Sequence, residues 1–282
     1  RPRDPELLKK YAHFFPPVLL FYAFSWTNLF ISLVVLTILF ALAVLLFSPE
    51  QTGSTKEFRD AFAPLERRFS FLPDPPLAAK DMIDLYRSGS AIGQTLFSFL
   101  IPLAVIWFFL SFLGPLLPPH GLLFMFAIVT GVIASTMYTW VTMFDSFGPY
   151  ACLPCTVSRI ISGKLVTFSI LQIIPALFIA AVALLNGDAG NLIPAVVLCL
   201  AVSFYAAGVM VWLTGLSPNV LVYDVKVLAL YLVLIGIVLT IFSALAFANP
   251  LYAFVSAVLF LPAWFFVERG KARWDAVDPE GF

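Results

Sequence analysis

LIPAVVLCLAVSFYAAGVMVWLT, Leu192–Thr214, is an unbroken run of 23 mostly apolar residues. It holds no Asp, Glu, Lys or Arg. As a helix it is long enough to cross a hydrocarbon core of about 30 Å, which takes roughly 20 apolar residues. Uncharged runs of the same kind lie on both sides of it: Asn28–Ser48, Ala91–Leu117, Gly121–Met143, Leu165–Asn186, Val227–Ala248 and Leu251–Val267. Their apolar residues are continuous rather than alternating, so they read as helices and not as the strands of a membrane barrel. A helix satisfies its own backbone groups in lipid, and an α-helical bundle follows.

Composition agrees. Hydrophobic residues make up 61% of the 282 and charged residues 11%, with a mean hydropathy of +0.99. A soluble fold leaves too much surface exposed to hide so much apolar area, whereas lipid tolerates it. The formal net charge is +0, which offers no electrostatic footprint for nucleic acid. Three cysteines are too few and of the wrong parity for a disulfide framework. The charged start, Arg1–Lys10, is not a signal peptide.

The chain therefore divides into an N-terminal segment 1–27, an apolar span 28–48, a polar segment 49–90, a block of spans 91–267 and a charged tail 268–282. Within 1–27, His13–Trp26 is apolar but interrupted by Pro16 and Pro17, and reads as an in-plane elbow helix or an eighth span. In the polar segment, Phe58, Phe62 and Leu65 recur at i, i+4 and i+7, so Thr55–Arg68 is expected to be an amphipathic surface helix. Pro73, Pro75 and Pro76 end it, and a second helix is expected over Leu77–Arg87.

Lys and Arg set the orientation. Arg159 and Lys164 in one loop, Lys226 in another, and Arg269, Lys271 and Arg273 in the tail put these segments on the cytoplasmic side. Loop counting adds the segment 49–90 to that side and places Pro118–His120, Gly187–Asn191 and Asn249–Pro250 outside. The residues before Asn28 fall outside if His13–Trp26 does not span, while Arg1, Arg3, Lys9 and Lys10 favour inside. Trp26, Trp140, Trp212, Trp264 and Trp274 stand near span ends, where interfacial anchors are expected.

Motifs for chemistry are sparse. Gly163-Lys164 lacks the preceding glycine and the following hydroxyl of a P-loop. His13 and His120 have no neighbours at metal-ligand spacing, and His120 reads as a turn residue. Cys152-Leu153-Pro154-Cys155 has the spacing of a dithiol redox pair, as a membrane thiol oxidase would use, but Cys199 alone supplies no second pair. Uncharged polar residues fall at membrane depth: Gln94, Ser135, Thr136, Ser169, Gln172, Ser203, Thr240 and Ser243. Such groups join helices. The absence of charge among them argues against an ion-coupled transporter.

The most informative stretch runs from Tyr138 to Leu165. Gly148 and Pro149 break the chain after one span, and Pro154, Thr156 or Ser158 suits the start of a helix. A short surface helix with Arg159 and Lys164 at its two ends is expected before the chain re-enters the membrane at Leu165. That shape suits either docking to a cytoplasmic partner or a positive-inside anchor.

Residues 153–165, LPCTVSRIISGKL, resemble the LPVSRREIVLGKLL segment of ABC-2 type permeases, the membrane subunits of one class of ABC transporters. Leu153, Pro154, Val157, Ser158, Arg159, Gly163, Lys164 and Leu165 carry the match, and Leu213–Asn219 with Tyr223-Asp224 looks like archaeal members. The resemblance implies a six-helix permease core over 91–267, with 28–48 as an added transmembrane helix. It also implies a coupling helix in which Leu153, Pro154, Val157, Ser158, Arg159 and Lys164 contact a separate ABC ATPase subunit. ATP and Mg would belong to that ATPase. A second permease copy or paralogue would complete the pathway in the cell membrane, and an amphipathic or lipid-like cargo suits the uncharged spans. The sequence departs from the family in having Cys155 at a usually small or β-branched position and Asp145 alone where an acidic stretch is common. The alternative is a non-transport anchor or scaffold subunit that uses 49–90 as its platform.

Overall fold

A computed structural model describes residues 26–46, 62–87, 93–113, 120–143, 156–217 and 220–276. Every regular element among them is helical. The chain divides into a unit over Arg1–Arg59 and a larger one over Asp60–Phe282. In the first, α1 is a single apolar helix, Trp26–Leu46. The elbow expected within His13–Trp26 lies outside the described residues, apart from Trp26 itself.

The second unit opens with α2 (Phe62–Arg68) and α3 (Pro75–Arg87). Only the C-terminal half of the expected Thr55–Arg68 helix falls among the described residues. α3 begins earlier than expected, because Pro75 starts the helix rather than blocking it. Its missing N–H is one that the first helical turn leaves unused, and the Asp74 carbonyl accepts the first helical bond, from Ala78 N–H.

A π-helical turn, Thr95–Leu100, leads into α4 (Ile101–Leu113). Pro102 has no N–H to give to the preceding turn, and a widened turn accommodates that loss. There follow α5 (Gly121–Ser135), α6 (Met137–Thr142), α7 (Val157–Leu171) and α8 (Ile173–Leu185). The rest is α9 (Leu192–Thr214), α10 (Val220–Tyr223), α11 (Val225–Ala248), a 3-10 helix over Pro250–Leu259 and α12 (Phe260–Asp275).

Among the described residues, merged across their small breaks, five helices are long and apolar enough to cross a membrane: Gly121–Thr142, Val157–Leu185, Ala189–Thr214, Val225–Ala248 and Pro250–Asp275. Leu29–Ile38 and Thr95–Leu110 are shorter apolar helices within the other two expected runs. The chain is an all-α, multi-pass membrane protein with lipid as its surroundings.

α9 forms the centre. Of its apolar window 72% is buried, against 22% in each of the last two spans, whose outer faces are left for lipid. Missing side chains let neighbours close on α9. A Cβ on Gly131 of α5 would lie 2.5 Å from the Cys199 carbonyl oxygen, and one on Gly208 would lie 2.7 Å from that of Ala263 in α12. Small residues of this kind give helices in lipid their van der Waals contact. Two of the expected Trp anchors belong to this core instead. Trp140 is 3% exposed and Trp274 8%, and the Trp274 ring N–H donates to the Val211 carbonyl at 3.0 Å. Trp26 and Trp264 are exposed, as anchors should be.

The ends of the larger unit separate cleanly. At one, His120 Nδ1 lies 2.7 Å from Asp188 Oδ1, so the turn before α5 meets the turn after α8. His120 holds a left-handed backbone, φ 64°. At the other, the Ser158 N–H donates to Asp275 Oδ1 at 2.7 Å, so the start of α7 meets the end of α12. The loops that charge counting placed together are therefore together.

Candidate functional site

The Ser158 end carries the segment read from the sequence as either a docking helix or a positive-inside anchor. Thr156 is the N-cap of α7, extended at φ −75° and ψ 148°, and its hydroxyl accepts from Arg159 N–H. This fills one of the amides that a helix start leaves open. Asp275 fills another through Ser158 N–H, and its carboxylate also meets the positive end of the helix dipole. Leu153 and Pro154, with Cys152 and Cys155, lie outside the described residues.

The expected arrangement, a separate surface helix followed by re-entry at Leu165, is not what forms. α7 runs unbroken from Val157 to Leu171 and, after one turn residue at Gln172, continues as α8. Nothing in Ser162-Gly163-Lys164 has to break a helix, provided that the lysine finds a counter-charge. It finds one in α3. Lys164 Nζ lies 2.5 Å from Asp81 Oδ1, and each side chain is 2% exposed. The Thr167 hydroxyl donates to the other carboxylate oxygen, Oδ2, at 3.2 Å.

One turn away, Arg159 donates through Nε and Nη2 to Asp74 Oδ1, at 2.9 and 2.8 Å. Arg159 remains 60% exposed, while Asp74 is 15% exposed. Between these pairs Leu77 packs on Gly163, where an added Cβ would lie 2.8 Å from Leu77 Cβ. Contacts therefore climb both helices in the same order, from Asp74–Arg159 through Leu77–Gly163 to Asp81–Lys164. α3 and α7 run side by side in the same direction.

Of the residues read from the sequence, Val157, Ser158 and Arg159 stand at the helix start, and Lys164 faces inward on α3. The sequence reading missed Asp74, Asp81, Thr167 and Asp275. One signal for the two α3 partners was present: Asp74 and Asp81 are seven apart, so they share a helix face, with Ala78 between them fully buried.

A second brace holds this end. Gly215 has φ 57°, and a Cβ there would lie 2.7 Å from the Trp274 ring. The Tyr138 hydroxyl donates to the Gly215 carbonyl at 2.9 Å, and Arg273 stacks on Trp274 with its guanidinium carbon 5.3 Å from the ring centroid. Asp224 caps α11 by accepting from Lys226 N–H and Val227 N–H.

The polar residues at membrane depth mostly serve their own helices. Thr136, Ser169, Thr240 and Ser243 donate to carbonyls one turn back. Ser98 donates to Gln94 Oε1, and Ser135 meets the Tyr231 hydroxyl at 3.4 Å. Thr130 Oγ1, Gln172 Oε1 and Ser203 Oγ are buried without a hydrogen-bond partner among the described residues. Cys199 is a buried free thiol within α9.

Compared with family models, with curated proteins and with solved structures, the chain finds no match.

Proposed function

We propose that this chain is the permease subunit of an ATP-driven ABC exporter in the cell membrane, and that the start of α7 docks on a separate ATPase subunit. The observation that carries the reading is the built helix start at Thr156–Arg159. It is capped from within by Thr156 and from the tail by Asp275. It continues, through one turn residue at Gln172, as a helical span of 29 residues, Val157–Leu185. A push on Val157–Arg159 would therefore be delivered along α7 and α8 rather than lost in a loop, as rigid-body alternation of a transporter requires. The resemblance of 153–165 to ABC-2 coupling segments names the partner. ATP and Mg would be handled by that partner, and a second permease copy or paralogue would enclose the pathway. The uncharged spans suit an amphipathic or lipid-like cargo.

The test is purification in mild detergent from the native membrane, with identification by mass of what accompanies the chain. A stoichiometric subunit bearing a P-loop, and ATP hydrolysis by the complex, is the expected result. A large assembly without ATPase would overturn the reading in favour of a scaffold subunit.

A further inference from the structure

Helix α3, in the polar segment 49–90, is fastened to α7 by charge. Asp74 and Asp81 lie on one face of α3 and its N-cap, and Arg159 and Lys164 lie on the facing side of α7. Both oxygens of Asp81 are engaged, one by Lys164 and one by Thr167. The contact between Leu77 and Gly163 is apolar and would permit sliding or rotation, since small apolar surfaces pack in more than one way. A buried ion pair does not. Any shift by a turn would leave a charge in a dry interface, so such a pair selects one register even where it adds little net stability.

We infer that Asp81 is a positioning residue: through Lys164 it sets the register of α3 on α7 and makes Pro75–Arg87 and Val157–Leu171 one rigid element. The register itself is independent of the permease reading. Only its consequence rests on that reading, namely that a partner docking at Arg159 moves α3 together with the span.

The experiment is a distance measurement between spin labels on the full chain in lipid nanodiscs. The labels go at exposed Tyr86 of α3 and exposed Ser169 of α7, with Cys152 and Cys155 replaced by serine. The otherwise native chain is expected to give one narrow distance. Replacing both charges by apolar residues, Asp81→Leu with Lys164→Met, is expected to keep the unfolding temperature but split or broaden that distance. The reversed pair, Asp81→Lys with Lys164→Asp, is expected to restore the single peak. A narrow, unshifted distance in the apolar pair would overturn the inference, because packing of Leu77 on Gly163 would then suffice. Should the apolar pair not fold, Asp81→Asn with Lys164→Gln reads the same quantity with the same two outcomes. No ATPase enters this test, so its failure is distinct from failure of the proposed function.

Discussion

Lys164 and Asp81 meet at 2.5 Å with 2% of each side chain exposed, joining the span helix α7 to helix α3 of the polar segment 49–90. Taking two charges out of water costs nearly what their attraction returns, so the intact pair contributes little, while an orphaned partner is costly. Asp81→Ala is therefore expected to destabilise the chain by about 3–5 kcal/mol. Asp81→Leu combined with Lys164→Met is expected to be neutral or stabilising. Thermal unfolding of the four members of this cycle, in one detergent, measures the coupling directly. Additive losses would mean that the two side chains do not interact.

Gly163 faces Leu77 so closely that a methyl group must push α3 away, with 2.8 Å left for a Cβ. Gly163→Ala is expected to cost about 1–3 kcal/mol, the usual range for overpacking. Leu77→Ala placed beside it should recover part of the loss by vacating the space. If Gly163→Ala alone unfolds like the native chain, α3 does not lie against α7 at this point.

Gly215 combines φ 57° with a Trp274 ring where its Cβ would go. Gly215→Ala thus meets backbone strain of about 1–3 kcal/mol and also displaces the ring whose N–H serves Val211. The expected result is a lower unfolding temperature and faster hydrogen exchange at the C-terminal end of α12. Slower exchange there would contradict this geometry.

Much of this architecture was legible because lipid imposes a simple demand. Leu192–Thr214 has to be a helix, since no other open structure satisfies its backbone in hydrocarbon. The pairing of Ser158 with Asp275 and of His120 with Asp188 agrees with the sides assigned from Arg159, Lys226 and Arg269. What stayed hidden depends on which helix faces which. Lys164 looked like the polar end of a surface helix because its counter-ion lies 83 residues away. Apolar periodicity says nothing about such a partner. Pro75 looked like a terminator because proline ends helices and also begins them, and only the carbonyl of Asp74 decides between the two. Trp140 and Trp274 looked like anchors because position along a span does not reveal which side faces lipid.

The tail reaches back to the start of α7 through a hydrogen bond, Ser158 N–H to Asp275 Oδ1 at 2.7 Å. A carboxylate at an exposed helix start adds about 0.3–1 kcal/mol, screened by salt. Asp275→Ala should leave global unfolding nearly unchanged and yet speed hydrogen exchange of the amides at 157–160. Asp275→Asn, which keeps the acceptor and loses the charge, should fall between. Equal protection in all three chains would remove the tail from the account of this helix start.

Arg159 allows the proposed docking to be tested apart from folding. Its fork to Asp74 is mostly solvated, with 60% of the Arg159 side chain exposed, and exposed pairs of this kind contribute about 0–1 kcal/mol. Arg159→Glu should therefore extract and unfold much as the native chain does. At the surface it replaces a planar donor with an acceptor beside another acceptor, Asp74, which on the proposed docking would repel a partner groove suited to guanidinium. On the proposed function, the expected outcome is loss of the ATPase subunit from an otherwise intact membrane subunit. Lys164→Met should instead lower stability, because it leaves the buried Asp81 carboxylate without its cation. If Arg159→Glu keeps its full complement of ATPase, the partner docks elsewhere, and the cation at the start of α7 serves orientation in the membrane alone.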